Sequence, residues 1–125
     1  MEMHPANAVR NAWAATIEYV FFGGRAVGVT RRSATPHVVL VPPNWYEQAC
    51  AAVNDWPLVT WPVSESLTSN DAKNSISAVI SMARGGSRAT GITYHGTLRA
   101  VAVPLGWYRQ AADAIGAPGG AEPAQ

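Results

Sequence analysis

The sequence predicts an α+β fold made of two like units in one chain. Three observations carry this reading. The stretch "VVLVPPNWYEQA", Val38 to Ala49, returns half a chain later as "AVAVPLGWYRQA", Ala100 to Ala111. Each copy completes a strand–turn–strand pattern. Each pattern in turn follows a helix-like stretch that ends in Gly-Gly. Internal repetition is weighed first, because a missed repeat misreads the whole fold.

The first unit, residues 1–55, contains "NAVRNAWAATIEYVFFGG", "RAVGVTRRSATPHVVLVPP" and "NWYEQACAAV"; the second, residues 56–117, contains "NDAKNSISAVISMARGG", "SRATGITYHGTLRAVAVP" and "LGWYRQAADAIG". Trp13, Ile17, Val20 and Phe21 form one apolar stripe at helical spacing, as do Ile76, Val79, Ile80 and Ala83. These stripes predict helices over 7–22 and 70–84. Asn7 and Asn70 are candidate N-caps, because their side chains can accept from free backbone amides. Gly23-Gly24 and Gly85-Gly86 stand where each helix must stop, and glycine takes the left-handed cap at little cost. They close a helix, whereas a phosphate-binding loop would open one with Gly-Lys-Ser/Thr after a strand.

"AVGVT" and "HVVLV" predict two strands joined by "RRSAT", and "TGIT" and "RAVAV" two joined by "YHGT". His95-Gly96 suits a tight turn, and Pro42 and Pro104 end the strands because proline cannot donate to a sheet ladder. The closing helices carry Tyr46, Ala49 and Val53 in one unit and Tyr108, Ala111 and Ile115 in the other. Only "MEMHP" precedes the first helix, so no opening strand is expected there. By contrast "LVTWPV" predicts an extra strand, Leu58 to Val63, feeding the second unit. The small residues, Gly and Pro of 118–125 predict a disordered tail.

With 125 residues the chain is one ordinary domain or two very small ones folded together, and 48% hydrophobic content supplies a core. A net charge of +1 and a pI near 8.0 give no global basic signal, so a nucleic-acid site would be a local cluster. The single Cys50 reads as a small buried apolar residue and fits a reducing cytoplasm. "MEMHPANAVRN" lacks the basic-then-apolar pattern of a signal peptide, and no apolar run is long enough to span a membrane. The cytoplasm is therefore the expected location. The three histidines, His4, His37 and His95, adjoin no nucleophile-like motif and no metal-ligand spacing. No enzymatic activity, cofactor or metal is expected. Trp13 and Trp45 are expected in cores, and Trp56 and Trp61 beside the extra strand.

The second unit, through "WPVSESLTSNDAKNSISAVI", "GITYHGTLRAVAVP" and "LGWYRQA", resembles the Phd/YefM family of bacterial antitoxins and transcriptional repressors. The first unit is similar to it more loosely, through "AVRNAWAATI", "GVTRRSATPHVVLVP" and "NWYEQA". The two matches together cover most of the chain. The resemblance implies a dimer-like body around a shared antiparallel sheet, with helices 7–22 and 70–84 on one side. Two units in one chain would form it intramolecularly, since covalent joining gives an effective concentration of roughly millimolar. It would be pseudo-symmetric. The edges implied by "LVTWPV" and by the absent first strand predict further pairing, as a dimer of chains.

The resemblance also implies sequence-specific contact with double-stranded DNA and a role in transcription regulation. The basic helix position falls on Arg10 and Lys73, and the position after the Ile/Val-Thr strand end on Arg31 and Tyr94. Tyr94 can bond a phosphate but cannot make the bidentate contact to guanine that Arg31 can. Arg32, His95, Asn11 and Asn74 lie beside these positions. His95 reads more simply as a turn residue, and each basic residue as a solvated charge. One alternative is an antitoxin that neutralises a partner toxin. It ranks lower, because "GAPGGAEPAQ" after Ile115 offers no large apolar anchor for a toxin-wrapping segment. The other is a non-catalytic interaction module, mildly favoured by the 14% charged content.

Overall fold

Runs of β-branched apolar residues bury both sides of a strand and belong at the centre of a sheet. In the computed structural model, which describes residues 2–30, 36–53, 65–74 and 89–118, the two repeated runs occupy that place. Strands β3 (Pro36–Val41) and β6 (Thr97–Pro104) pair antiparallel, and Val38–Val41 and Ala100–Val103 are inaccessible to water. Leu40 faces Ala102, each two residues before the proline that ends its run.

Outside this pair lie β2 (Val27–Thr30) and β1 (Glu2–Pro5) on one flank, β5 (Thr90–Tyr94) and β4 (Glu65–Thr68) on the other. The order is β1-β2-β3-β6-β5-β4, an open sheet of six strands. It reads alike from either end: β1 is parallel to β2 and β4 to β5, while the inner pairs are antiparallel. The sheet is therefore mixed rather than antiparallel. Glu2 faces Val27, and Glu65 faces Thr90. Each inner hairpin bulges at the same place, between Val29 and Thr30 and between Ile92 and Thr93.

One expectation about the edges changes. An opening strand does precede the first helix: "EMHP" forms β1. On the other flank "ESLT" forms β4, and Leu58 to Val63, expected to form an extra strand, lies outside the described residues. The boundary at 55/56, Trp56, Trp61, Gly85-Gly86, the helix beyond Asn74 and residues 119–125 also lie outside them. Pro118, placed in the tail by sequence, is buried in a turn.

The helix expected over 7–22 is two segments, α1 (Ala6–Asn11) and α2 (Trp13–Phe21). Ala12 leaves helical geometry at φ −115 and ψ 40. The Thr16 hydroxyl donates to the Ala12 carbonyl at 2.9 Å, a side-chain bond of the kind that bends helices. Val9, Trp13, Ile17 and Val20 pack on one sheet face, against Val27, Val29, Val38, Leu40, Ile92, Ala100 and Ala102. Gly24, at φ 66, closes this stretch, and its amide donates to the Val20 carbonyl at 3.1 Å.

The opposite face is covered as well, by α3 (Pro43–Ala52) and α5 (Leu105–Ile115). Pro42 and Pro104 take extended geometry and cap these helices, so each proline ends a strand and starts a helix. Trp45 and Trp107 meet edge to face at 6.2 Å, Tyr108 lies 5.4 Å from Trp45, and Tyr46 lies 5.4 Å from Trp107. The Trp45 indole donates to the Gly116 carbonyl at 2.9 Å, which ties one half to the other. Among the described residues, no helix is long and apolar enough to cross a membrane.

Burial pushes the Tyr46 and Tyr108 hydroxyls above the usual phenol range; for Tyr46 the Cys50 thiol adds to the effect. Below about pH 10 neither the folded nor the unfolded chain ionises them, and they leave stability flat. Above it, the unfolded chain releases protons that the folded chain still holds, and stability falls. In an alkaline titration followed at 295 nm and by near-ultraviolet circular dichroism, Tyr46 and Tyr108 are expected to ionise together with the loss of structure. Tyr108→Phe removes a hydroxyl that has no hydrogen-bond partner among the described residues, and is expected to move that transition to higher pH.

Candidate nucleic-acid interface

Each edge strand runs directly into a short helix. α1 follows β1, and α4 (Ser69–Asn74) follows β4. The starts of these helices differ from expectation, for neither Asn7 nor Asn70 caps. α1 begins after Pro5, at φ −66, with no side-chain cap. At α4 the Thr68 hydroxyl accepts the Asp71 amide at 3.1 Å, and Asp71 itself sits favourably in the first turn. Ser69, which is buried, donates through its hydroxyl to the Thr93 carbonyl at 3.3 Å. Thr93 donates to the Leu67 carbonyl at 3.1 Å, so the start of α4 is fixed to β5.

Both helices end in a basic residue followed by asparagine, Arg10-Asn11 and Lys73-Asn74. All four residues are exposed. α1 and α4 pack against one another, and α4 also packs on α2, so both basic ends belong to one side of the sheet. Among the described residues, neither Arg10 nor Lys73 forms an ion pair. Among the described residues these positive charges have no neutralising partner, which suits contact with phosphates.

Tyr94 stands at the end of β5 and is 48% exposed. His95 follows at φ 50 and Gly96 at φ 77, the two positive values of a tight hairpin turn. The exposed His95 ring lies edge-on to Tyr94 with centroids 4.1 Å apart. Arg31 and Arg32 lie outside the described residues.

A cleft of about 600 Å³ opens between α2 and α4. It brings together Asn11, Lys73 and Tyr94, whereas Arg10, Asn74 and His95 do not line it. It also contains residues that the sequence reading missed: Glu18, Phe21, Phe22 and Arg99. Arg99 gets there through the bulge in β6. Ile92 faces Ala100 and Thr93 faces Leu98, so Arg99 has no partner in the ladder. Such a bulge re-aims its side chain. The guanidinium lies 4.5 Å over the Phe21 ring, 5.6 Å from Phe22 and 5.9 Å from Tyr94. In β3, the matching bulge leaves His37 without a ladder partner. The available signal was one charged residue interrupting "TLRAVAVP".

Among the described residues no group of three or more His, Cys, Asp or Glu side chains could hold a metal ion. Cys50 is half-buried, and burial raises its thiol out of the range of a reactive thiolate. No protein-family model matches the chain, and neither a curated protein nor a solved structure matches it.

Proposed function

We propose that the chain is a sequence-specific, double-stranded DNA-binding transcriptional regulator. In this reading it consists of two Phd/YefM-like units that form a pseudo-symmetric dimer within one molecule. The observation that carries it is the pairing of α1 with α4. Each helix follows an edge strand, and each presents an exposed basic residue and an asparagine from its last turn. The sheet order that reads alike from both ends supports the intramolecular dimer. Arg10 and Lys73 would hold phosphates on neighbouring half-sites, and Asn11 and Asn74 would reach the adjoining sugar or base edges. Tyr94 would serve as a phosphate donor on the second half-site, where Arg31 would read a base on the first. Fluorescence anisotropy with a labelled random duplex tests this reading. Binding is expected at low salt and should weaken steeply as salt rises. A flat signal at low salt would remove the reading.

A second reading, a protein-interaction module, draws on the exposed apolar side chains Met3, Phe22 and Tyr94. In either case a dimer of chains is proposed. Among the described residues no further strand pairs with the outer edge of β1 or β4, and open edges recruit partners. Light scattering at tens of micromolar is expected to give about twice the 13.2 kDa of one chain; a strict monomer would contradict it.

A further inference from the structure

We infer that the cleft between α2 and α4 binds a small planar organic anion, an aromatic ring bearing a carboxylate or similar group. The site does not require that the protein bind DNA. Arg99 provides the first argument. Among the described residues it makes no hydrogen bond or ion pair, and its Nε is shielded from water without a partner. Arg99 lines the cleft, and a carboxylate satisfies a guanidinium with paired, charge-assisted bonds.

The second argument is charge. Lys73 lines the same cleft, and Glu18 is the one carboxylate among its described lining residues. Among the described lining residues, two cations stand against one anion. The third is shape and surface. At about 600 Å³ the cleft has the size of a small-molecule site. Phe22 and Tyr94, 72% and 48% exposed, supply ring surface open to an incoming planar body. A cationic ligand is disfavoured, because the Arg99 guanidinium already occupies the Phe21 ring face.

The test uses the full chain and three probes: 2-naphthoate, the neutral 2-naphthalenemethanol and the non-aromatic cyclohexanecarboxylate. Binding is read by calorimetry and by the shift of the Trp13 indole N–H resonance, whose donor has no hydrogen-bond partner among the described residues. 2-Naphthoate is expected to bind in the millimolar range or tighter, with each of the other probes about tenfold weaker. Arg99→Gln should weaken 2-naphthoate by about tenfold or more. Should Arg99→Gln fail to fold, Glu18→Gln gives an independent reading with the opposite sign. Glu18 is exposed, and removing its charge should tighten 2-naphthoate about threefold. The inference is overturned if 2-naphthoate does not bind, if the neutral alcohol binds as tightly, or if Glu18→Gln leaves the affinity unchanged.

Discussion

Trp107→Ala is expected to leave the protein largely unfolded at ambient temperature. Trp107 is 1% exposed and stands where α3, α5 and the centre of the sheet meet. Its ring touches Trp45 edge to face and lies against Tyr46, so one side chain joins the closing helices of both halves. Truncating a buried tryptophan costs about 3–5 kcal/mol, against a total stability of about 5–15 kcal/mol for a typical domain. The loss is steep here, because among the described residues each core cluster draws side chains from both halves. Trp107→Phe should be milder than Trp45→Phe. The Trp107 indole has no hydrogen-bond partner among the described residues, whereas losing the Trp45 indole strips the Gly116 carbonyl of its donor, at about 1 kcal/mol. Urea unfolding of the three variants checks the order. Gln48→Ala, on the exposed face of α3, serves as the control that should change little.

The second large effect concerns DNA. Arg10→Ala with Lys73→Ala is expected to weaken duplex binding about a hundredfold at moderate salt, from roughly 1–1.5 kcal/mol lost at each helix end. The slope of log affinity against log salt should fall by about two units, one for each phosphate contact removed. Both residues are exposed and form no ion pair among the described residues, so thermal stability should stay within about 0.5 kcal/mol of the parent. That separation between folding and binding is the readout. A double variant with unchanged affinity and slope would place any DNA contact elsewhere on the molecule.

The centre of the fold was legible because its signals are local. The runs Val38–Val41 and Ala100–Val103, the strand-ending prolines and the two Trp-Tyr pairs each announce a buried element within a few residues. The tight turn at His95-Gly96 was legible for the same reason. The edges were not. β1 is four mostly exposed residues ending in proline, and it becomes a strand only because β2 supplies a parallel partner. The break at Ala12 carries no proline or glycine to mark it. Thr68 displaced Asn70 as the cap because β4 delivers its hydroxyl to the Asp71 amide. Arg99 was missed for a long-range reason. Its direction depends on a bulge fixed by the register of β6 on β5, and its neighbours Phe21 and Phe22 come from α2 and its end, in the other half of the chain. Of the site residues read from sequence, Asn11, Lys73 and Tyr94 share the cleft, while Arg10, Asn74 and His95 stay outside its lining.

The central claim is specific recognition of double-stranded DNA, and selection of bound sequences from a random duplex pool by the purified full chain tests it most directly. The account predicts enrichment of one motif with two adjacent, unequal half-sites. The stronger half-site should lie under the Arg10 half and the weaker, chiefly phosphate-held one under the half that carries Lys73 and Tyr94. A pool that shows no enrichment over its starting composition after repeated rounds at low salt would contradict the account.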